Sequence, residues 1–361
     1  MRIVIVGAGI NGLLTARELA KTGAEVMLCD QGEFAQQASW AGGGIVSPLY
    51  PWRYAPAVTV LSQWAQAAYP LLRDELMADV GIDIELLMSG LLFVNTDDAR
   101  DARVWAQANM VTCEALDAGS LRERWPGLAH DAEQGVFFPD IAQVRNPRLL
   151  KALIADLQRY SGVQLRPKTA ITSVKGAHAG HSASVTFASG ELVEADAVIV
   201  CAGAWSAKLL PRTAIPVRPV RGQMLQYETA PGTITSMILR DGHYLIPRAD
   251  GLVLCGSTLE ETGFDKSTTA EARELLEKAA ASLWPGLTEQ PPVRHWAGLR
   301  PGSPNGIPFI GEVPNQPGLW VNAGQFRNGL VLAPASARLL CDQLLKRSPV
   351  MDAAPYQLFP C

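Results

Sequence analysis

The stretch from Met1 to Asp30 constrains this chain more than any other. Arg2 to Val6 is a short β-branched apolar run, suited to a strand buried on both faces. It runs into Gly7, Gly9 and Gly12 in a GxGxxG pattern, after which Leu13, Leu14, Ala16, Leu19 and Ala20 recur at helical spacing. A second apolar run, Glu25 to Cys29, ends on Asp30. Gly7 permits a tight turn, Gly9 lets backbone approach a pyrophosphate, and Gly12 lets helix and strand pack closely. Ile10 and Asn11 open the helix, whose free N–H groups and partial positive charge suit phosphates. Asp30, eighteen residues beyond Gly12, is placed to accept ribose hydroxyls. GxGxxG alone also fits an ordinary glycine-rich turn. The order strand, glycines, helix, strand, acid predicts a nucleotide-binding βαβ unit. No basic residue adjoins Asp30, which argues against a 2′-phosphate and hence against NADP.

The chain of 361 residues can hold two domains, or one large one with an inserted sheet. No stretch approaches the roughly 18 unbroken apolar residues of a membrane span. The motif begins at residue 2 and leaves no room for a signal peptide, so a cytoplasmic protein without a membrane partner is expected. With a net charge of −4 and no basic block, no nucleic-acid partner is expected. The six cysteines form no CxxC pair and the five histidines are not at ligand spacing, so neither disulfides nor a metal site is expected.

Past Asp30, Gly42-Gly43-Gly44 stand in a row within Ala38 to Pro48. Glycines forgo side-chain contacts and cost entropy, so a run of three suits backbone passing close to something flat. A flexible loop is the alternative. Val58–Val80 has helical periodicity, Ile84–Val94 reads as a strand around Gly90, and Asp97–Met110 and Leu116–Leu128 read as helices. A helix is expected from Asn146 to Tyr160, with Pro147 at its first turn. Short strands then lead to Ala197–Val200, a second buried run ending in small residues near Gly203, which can pair beside the first strand. Gly222–Tyr227, Gly242–Pro247 and Leu252–Thr258 suggest an antiparallel sheet. Thr269–Leu283 is an amphipathic helix, and Val293–Leu299 a strand leading to Arg300. Gly318–Ala323, a glycine turn and a helix from Gly329 to Leu345 repeat the strand, turn and helix order.

Four segments together, GAGINGLLTARELA, ADAVIVCAGAWS, HWAGLRPGSPNGIPFIGEVP and VNAGQFRNGLVLAPASARLL, resemble the D-amino-acid oxidase and sarcosine oxidase family of FAD flavoenzymes. The likeness covers nearly the whole chain and is greatest to the glycine-oxidising branch that serves thiamine biosynthesis. It implies an α/β plus α+β architecture: a Rossmann-like FAD domain from segments 1–82, 140–215 and 297–361, and a substrate domain from 83–139 and 216–296 built on a large antiparallel sheet. It implies FAD at Gly7, Gly9, Ile10, Asn11 and Gly12, with Asp30 and Gln31 at the ribose and Ile171 at the adenine. Ala38, Ser39, Gly43, Gly44 and Ile45 would line the approach to the flavin ring. Gly203 and the run Gln325, Phe326, Arg327, Asn328, Gly329, Leu330 and Val331 would complete the site. Gly298 takes the place where sarcosine oxidase has a cysteine joined to the flavin, so FAD is expected to be non-covalent.

The same resemblance places Arg300 on the substrate carboxylate, with Tyr244 beside it and Arg327 as a second contact. A guanidinium fork binds a carboxylate in bidentate fashion. His243, Leu259 and Ile45 are expected to shape the pocket. The implied reaction is oxidation of the amine of a small amino acid, glycine, sarcosine or a small D-amino acid. The imine hydrolyses to a keto acid and ammonia, and dioxygen takes the electrons to give hydrogen peroxide. A dehydrogenase using another acceptor, an RNA-modifying oxidase and a FAD-binding protein without turnover are the rival readings. The likeness further implies a homo-oligomer, a homotetramer.

Overall fold

The computed structural model describes residues 1–211 and 215–358. Parts of two expected FAD-domain segments, 212–214 and 359–361, lie outside the described residues. The chain begins with β1 (Arg2–Val6), α1 (Ile10–Ala20), β2 (Glu25–Cys29), the short α2 (Ala38–Ala41) and α3 (Pro56–Val80). Next come β3 (Leu91–Val94), α4 (Ala99–Ala108), β4 (Glu114–Asp117), α5 (Ala118–Arg124) and β5 (Gln134–Phe138). The middle holds α6 (Asn146–Leu157), β6 (Val163–Arg166), β7 (Ile171–Lys175), β8 (Ala183–Phe187), β9 (Leu192–Ala195), β10 (Ala197–Val200) and α7 (Ser206–Leu209). The last third is β11 (Arg218–Glu228), β12 (Met237–Arg240), β13 (His243–Pro247), β14 (Leu252–Gly256), α8 (Ala270–Leu283), β15 (Arg294–Gly302), β16 (Phe309–Glu312), β17 (Leu319–Ala323) and α9 (Gly329–Leu344).

Three sheets result. The first has six strands in the order β16-β17-β10-β1-β2-β6, parallel except for β16. Alternation along β1 divides its burial. Ile3 and Ile5 pack beneath α1, α3, α6 and α9, whereas Val4 and Val6 face the antiparallel sheet β7-β8-β9 on the other side. As both faces are covered, the continuous apolar runs need no polar alternation. The other sheet has the order β15-β11-β14-β13-β12-β3-β5-β4. Its pairings are antiparallel apart from β3 with β12. Leu225, Leu245 and Cys255 pack beneath α8, while Met224, Tyr244 and Ile246 form the opposite face with Leu49 and Tyr50.

Two expectations change. The strand expected from Ile84 begins only at Leu91, because Gly90 sits at φ +66, where a Cβ would come within 2.4 Å of the Phe137 ring. The preceding residues turn away, Leu87 exchanging backbone hydrogen bonds with Gln143. Leu116–Leu128, read as helix, splits into β4 and α5, the Asp117 carboxylate capping the helix through the Ser120 amide at 2.8 Å. β15 also runs unbroken across the expected 296/297 boundary, so Arg300 lies on the strand itself.

Candidate active site

β1, β2, β10 and β17 end on one side of the parallel sheet, the place where open α/β sheets bind ligands. Gly7 there has φ +104, and any Cβ would strike the Cys201 carbonyl at 2.4 Å. A Cβ on Gly12 would lie 1.9 Å from the Gly7 carbonyl oxygen, so this glycine sets the depth of the helix against the turn. Ser39 Oγ accepts from the Ile10 amide at 2.9 Å, while the buried Asn11 Oδ1 has no partner. Asp30 holds the base of the cradle. Its Oδ2 accepts from the Ala8 amide at 2.8 Å and its Oδ1 from the Gly32 amide at 2.9 Å. Burial raises its pKa, and those two amides oppose the rise. Each carboxylate oxygen keeps a lone pair for a ribose hydroxyl. Burial also pushes the thiols of Cys29 and Cys201 up to about 12, which makes them apolar wall. A glycine turn closed to any side chain, a helix N-terminus and an unpartnered buried polar atom fit the pyrophosphate and ribose of FAD.

The glycine loop crosses the middle of the cleft. Gly43 passes so close to Ile246 that a Cβ would come within 2.4 Å, and a Cβ on Gly44 (φ +87) would lie 2.1 Å from the Val144 carbonyl oxygen. Two side chains from distant sequence hold this loop. Asn146 Nδ2 donates to the carbonyls of Ser39 (2.8 Å) and Gly42 (3.0 Å). Arg248 donates to Gln143 Oε1 (2.7 Å), the Val144 carbonyl (3.1 Å) and the Gly43 carbonyl (2.8 Å). All three acceptors are neutral, and burial lowers the Arg248 pKa to about 10. Just past the end of β13, in the sequence Ile246-Pro247-Arg248-Ala249-Asp250, Arg248 resembles a surface charge, and only Gln143 and the loop reveal its role.

At the far end stands Arg300, paired in register with Val220 of β11. Its guanidinium occupies the space above Gly222, where a Cβ would come 2.1 Å from Nη1. Nη1 donates to the carbonyls of Thr258 (3.1 Å) and Arg221 (3.4 Å), and Nη2 to Ser257 Oγ (2.7 Å). Among the described residues it has no carboxylate partner. Nearby acids are taken by Arg221, which pairs with Glu260 and Asp265, both at 2.6 Å. Burial holds the Arg300 pKa below its ordinary value, the Tyr244 hydroxyl supports the charge, and Arg327 works against it. A half-buried cation with neutral partners and free donors is set to receive an anion. Tyr244 is buried and directs its hydroxyl at Met224 Sδ, 3.3 Å away.

The cleft brings most of the expected residues together. Gly7, Gly9, Ile10, Asn11, Asp30, Gln31, Ala38, Ser39, Gly43, Gly44, Ile45, Ile171 and Gly203 line it, with Tyr244, Arg300, Gln325, Phe326, Arg327, Gly329 and Leu330. Gly12, Asn328 and Val331 stand behind the lining. Gln325 bonds through Nε2 to Asn322 Oδ1 at 2.6 Å, leaving its Oε1 and Asn328 Nδ2 buried without partners. Leu259 is a correction: it is 57% exposed and stands off the lining. Its neighbours Thr258 and Glu260 bond each other and turn inward to Gln223 and Arg221, which turns Leu259 outward. Sequence reading missed Trp205, Lys208 and Ser257. Ser257 carries no signal beyond following a glycine.

Fold and cleft together define a flavin-dependent oxidoreductase. The family model described as FAD dependent oxidoreductase matches residues 2–343, and the chain belongs to that family. It is 48% identical over 359 residues to the glycine oxidase of Pseudomonas aeruginosa, covering 98% of each chain. It is 47% identical to that of Pseudomonas putida, covering 98% of this chain and 97% of the relative. The crystal structure of glycine oxidase from Geobacillus kaustophilus superposes with a TM-score of 0.92 at 28% identity, covering 99% of this chain and 98% of that one.

Proposed function

We propose that this enzyme oxidises glycine, and small amines of the same kind such as sarcosine or D-alanine, to the keto acid, ammonia (methylamine from sarcosine) and hydrogen peroxide. The observation that carries this is Arg300, a cation with only neutral partners at the end of a cleft that begins in a dinucleotide cradle. FAD, held without a covalent link by the β1–α1 turn, Asp30, the glycine loop and the Gln325–Leu330 segment, supplies the two-electron acceptor. Arg300 fixes the substrate carboxylate with Tyr244 beside it. Ile45, Leu49 and Leu299 give an apolar wall that keeps water from the reacting carbon. Asp30, at the nucleotide end, is the one acid among the described lining residues. No carboxylate at the anchor end is therefore placed as a base, and the amine loses its proton to solvent before it reacts.

We further propose two domains divided as the resemblance implies, with dioxygen as the electron acceptor. A homotetramer in the cytoplasm whose product serves thiamine biosynthesis completes the reading. No helix among the described residues is long and apolar enough to cross a membrane. The test is a panel of glycine, sarcosine, D-alanine and D-proline, assayed for peroxide in air with purified yellow protein. Peroxide from glycine is expected. Flavin that bleaches anaerobically without peroxide in air favours a dehydrogenase, and flavin untouched by all four compounds overturns the proposal.

A further inference from the structure

Between β14 and α8 the chain leaves the large sheet and runs out to the mouth of the cofactor cleft. Residues 259–268 form no helix or strand there, and nearly all are exposed. Both ends of this strap are fixed to β11. Glu260 exchanges backbone hydrogen bonds with Arg221 at 2.9 and 3.0 Å, and the Thr269 amide donates to Gln223 Oε1 at 3.0 Å. Between these ends Arg221 Nη1 donates to Asp265 Oδ2 (2.6 Å) and to the Ser267 carbonyl (3.1 Å). Gly263, at φ +62, turns the tip just before Phe264. The tip then meets the cleft at two points. Phe264 packs on Trp205, the ring centroids 5.5 Å apart, and its ring centre lies 3.6 Å from Lys208 Nζ. Lys266 Nζ donates to Gln37 Oε1 at 2.7 Å. Trp205, Lys208 and Gln37 all line the cleft. Gln37 follows β2, while Trp205 and Lys208 follow β10, and these are the two strands that flank β1. The strap therefore ties together the two banks of the mouth on either side of the β1–α1 turn.

We propose that residues 259–268 gate the cofactor cleft: Phe264 and Lys266 are latches that open to admit or release FAD and close again behind it. The inference rests on the FAD cleft alone and needs no particular substrate. Every tip contact named above is to a side chain that lines the cleft, and none is to the core beneath it. A ring contact, a cation beside that ring and one hydrogen bond between surface side chains can break without disturbing buried packing. Phe264 stays 37% exposed even when latched. Exposed segments with few apolar contacts are the usual source of enzyme lids. The root is firmer. The Arg221 side chain is buried and pairs with Glu260 at 2.6 Å, so the strap opens from its tip and keeps its place on β11. Its pair with the half-exposed Asp265 guides the tip back. An opening confined to the tip also spares the substrate anchor, because Arg300 bonds Ser257 and Thr258 just before the strap begins.

A gate differs from a wall in its kinetics: loosening it speeds entry and exit together. FAD release from the holoprotein is followed by free-flavin fluorescence after dilution, and FAD uptake by the apoprotein by loss of that fluorescence on mixing. Phe264→Ala combined with Lys266→Met removes both latches. It is expected to raise both rates by about tenfold or more while their ratio, the Kd, moves by about threefold or less. Phe264→Tyr combined with Lys266→Arg keeps ring and charge and is expected to stay within about twofold of the unaltered protein in both rates. Lys266→Met alone changes one exposed side chain and should raise both rates about threefold, which preserves the test if the double variant does not fold. No substrate enters these measurements, so a protein inert towards glycine would sink the amine-oxidase reading and leave this one standing. Rates unchanged by removal of the latches overturn the proposal, and so does release that quickens while uptake does not.

Discussion

The two ends of the cleft recognise their ligands by different means. At the nucleotide end the protein offers backbone: glycines with no room for a Cβ, helix amides, and one acid braced by main-chain N–H groups. At the substrate end it offers side chains. Arg300 from β15 lies over Gly222 of β11 and bonds Ser257 just after β14, and Tyr244 from β13 lines the same cleft. A backbone cradle lies within one short stretch of chain and tolerates almost no added atom. An assembly of side chains draws on distant segments and fails by degrees, since each partner contributes a part. The contrast fits a cofactor common to a whole family beside a substrate that differs among its members.

Substitutions can break this contrast or sharpen it. The largest effect is expected from Gly12→Ala, whose methyl would meet the Gly7 carbonyl oxygen at 1.9 Å. Relieving that clash costs about 3 kcal/mol or more, so the protein is expected to purify without bound FAD or fail to fold, as absorbance at the flavin bands and thermal melting report. Arg300→Ala spares the cradle. It should keep its yellow colour and lose roughly 30- to 4,000-fold in kcat/KM for glycine, from about 2 to 5 kcal/mol of lost anchoring. Arg248→Met lies between the two ends. Leaving the Gly43 and Val144 carbonyls and Gln143 Oε1 without their donor costs about 1 to 3 kcal/mol each. FAD affinity, measured by fluorescence titration, should weaken about tenfold or more, with the loss exceeding any change in KM for glycine. Ser257→Ala should act least. It removes one neutral hydrogen bond to Arg300 and should raise KM by about fivefold, near 1 kcal/mol, with FAD affinity unaltered.

The same contrast explains what was legible in the sequence. The β1–α1–β2 unit was readable because its parts are contiguous and each glycine has a local reason. The pairing of Ala197–Val200 beside β1 followed from its unbroken apolar run, which suits burial on both faces. β5, β12 and β16 were not foreseen. They are four or five residues long, and pairing with distant strands, more than any periodicity of their own, fixes them. The segment from Ile84 to Gly90 misled for the opposite reason: Ile84 packs into the core and Met88 is exposed, and no ladder forms before Gly90 takes its left-handed turn. At the site, Arg300 came from the family resemblance. Its lack of an acid became visible only when Glu260 and Asp265 were found on Arg221. Arg248 and Ser257 stayed hidden because tertiary neighbours, and no sequence pattern, give them their roles.

The central claim is that a carboxylate on Arg300 holds the substrate in place for oxidation. Anaerobic titration of the wild-type protein with glycine and with glycinamide, followed at the flavin absorbance, tests it without altering the protein. Bleaching by glycine at concentrations where glycinamide, at about a hundredfold excess, leaves the spectrum unchanged is the predicted result. Equal bleaching by the two compounds would contradict the account.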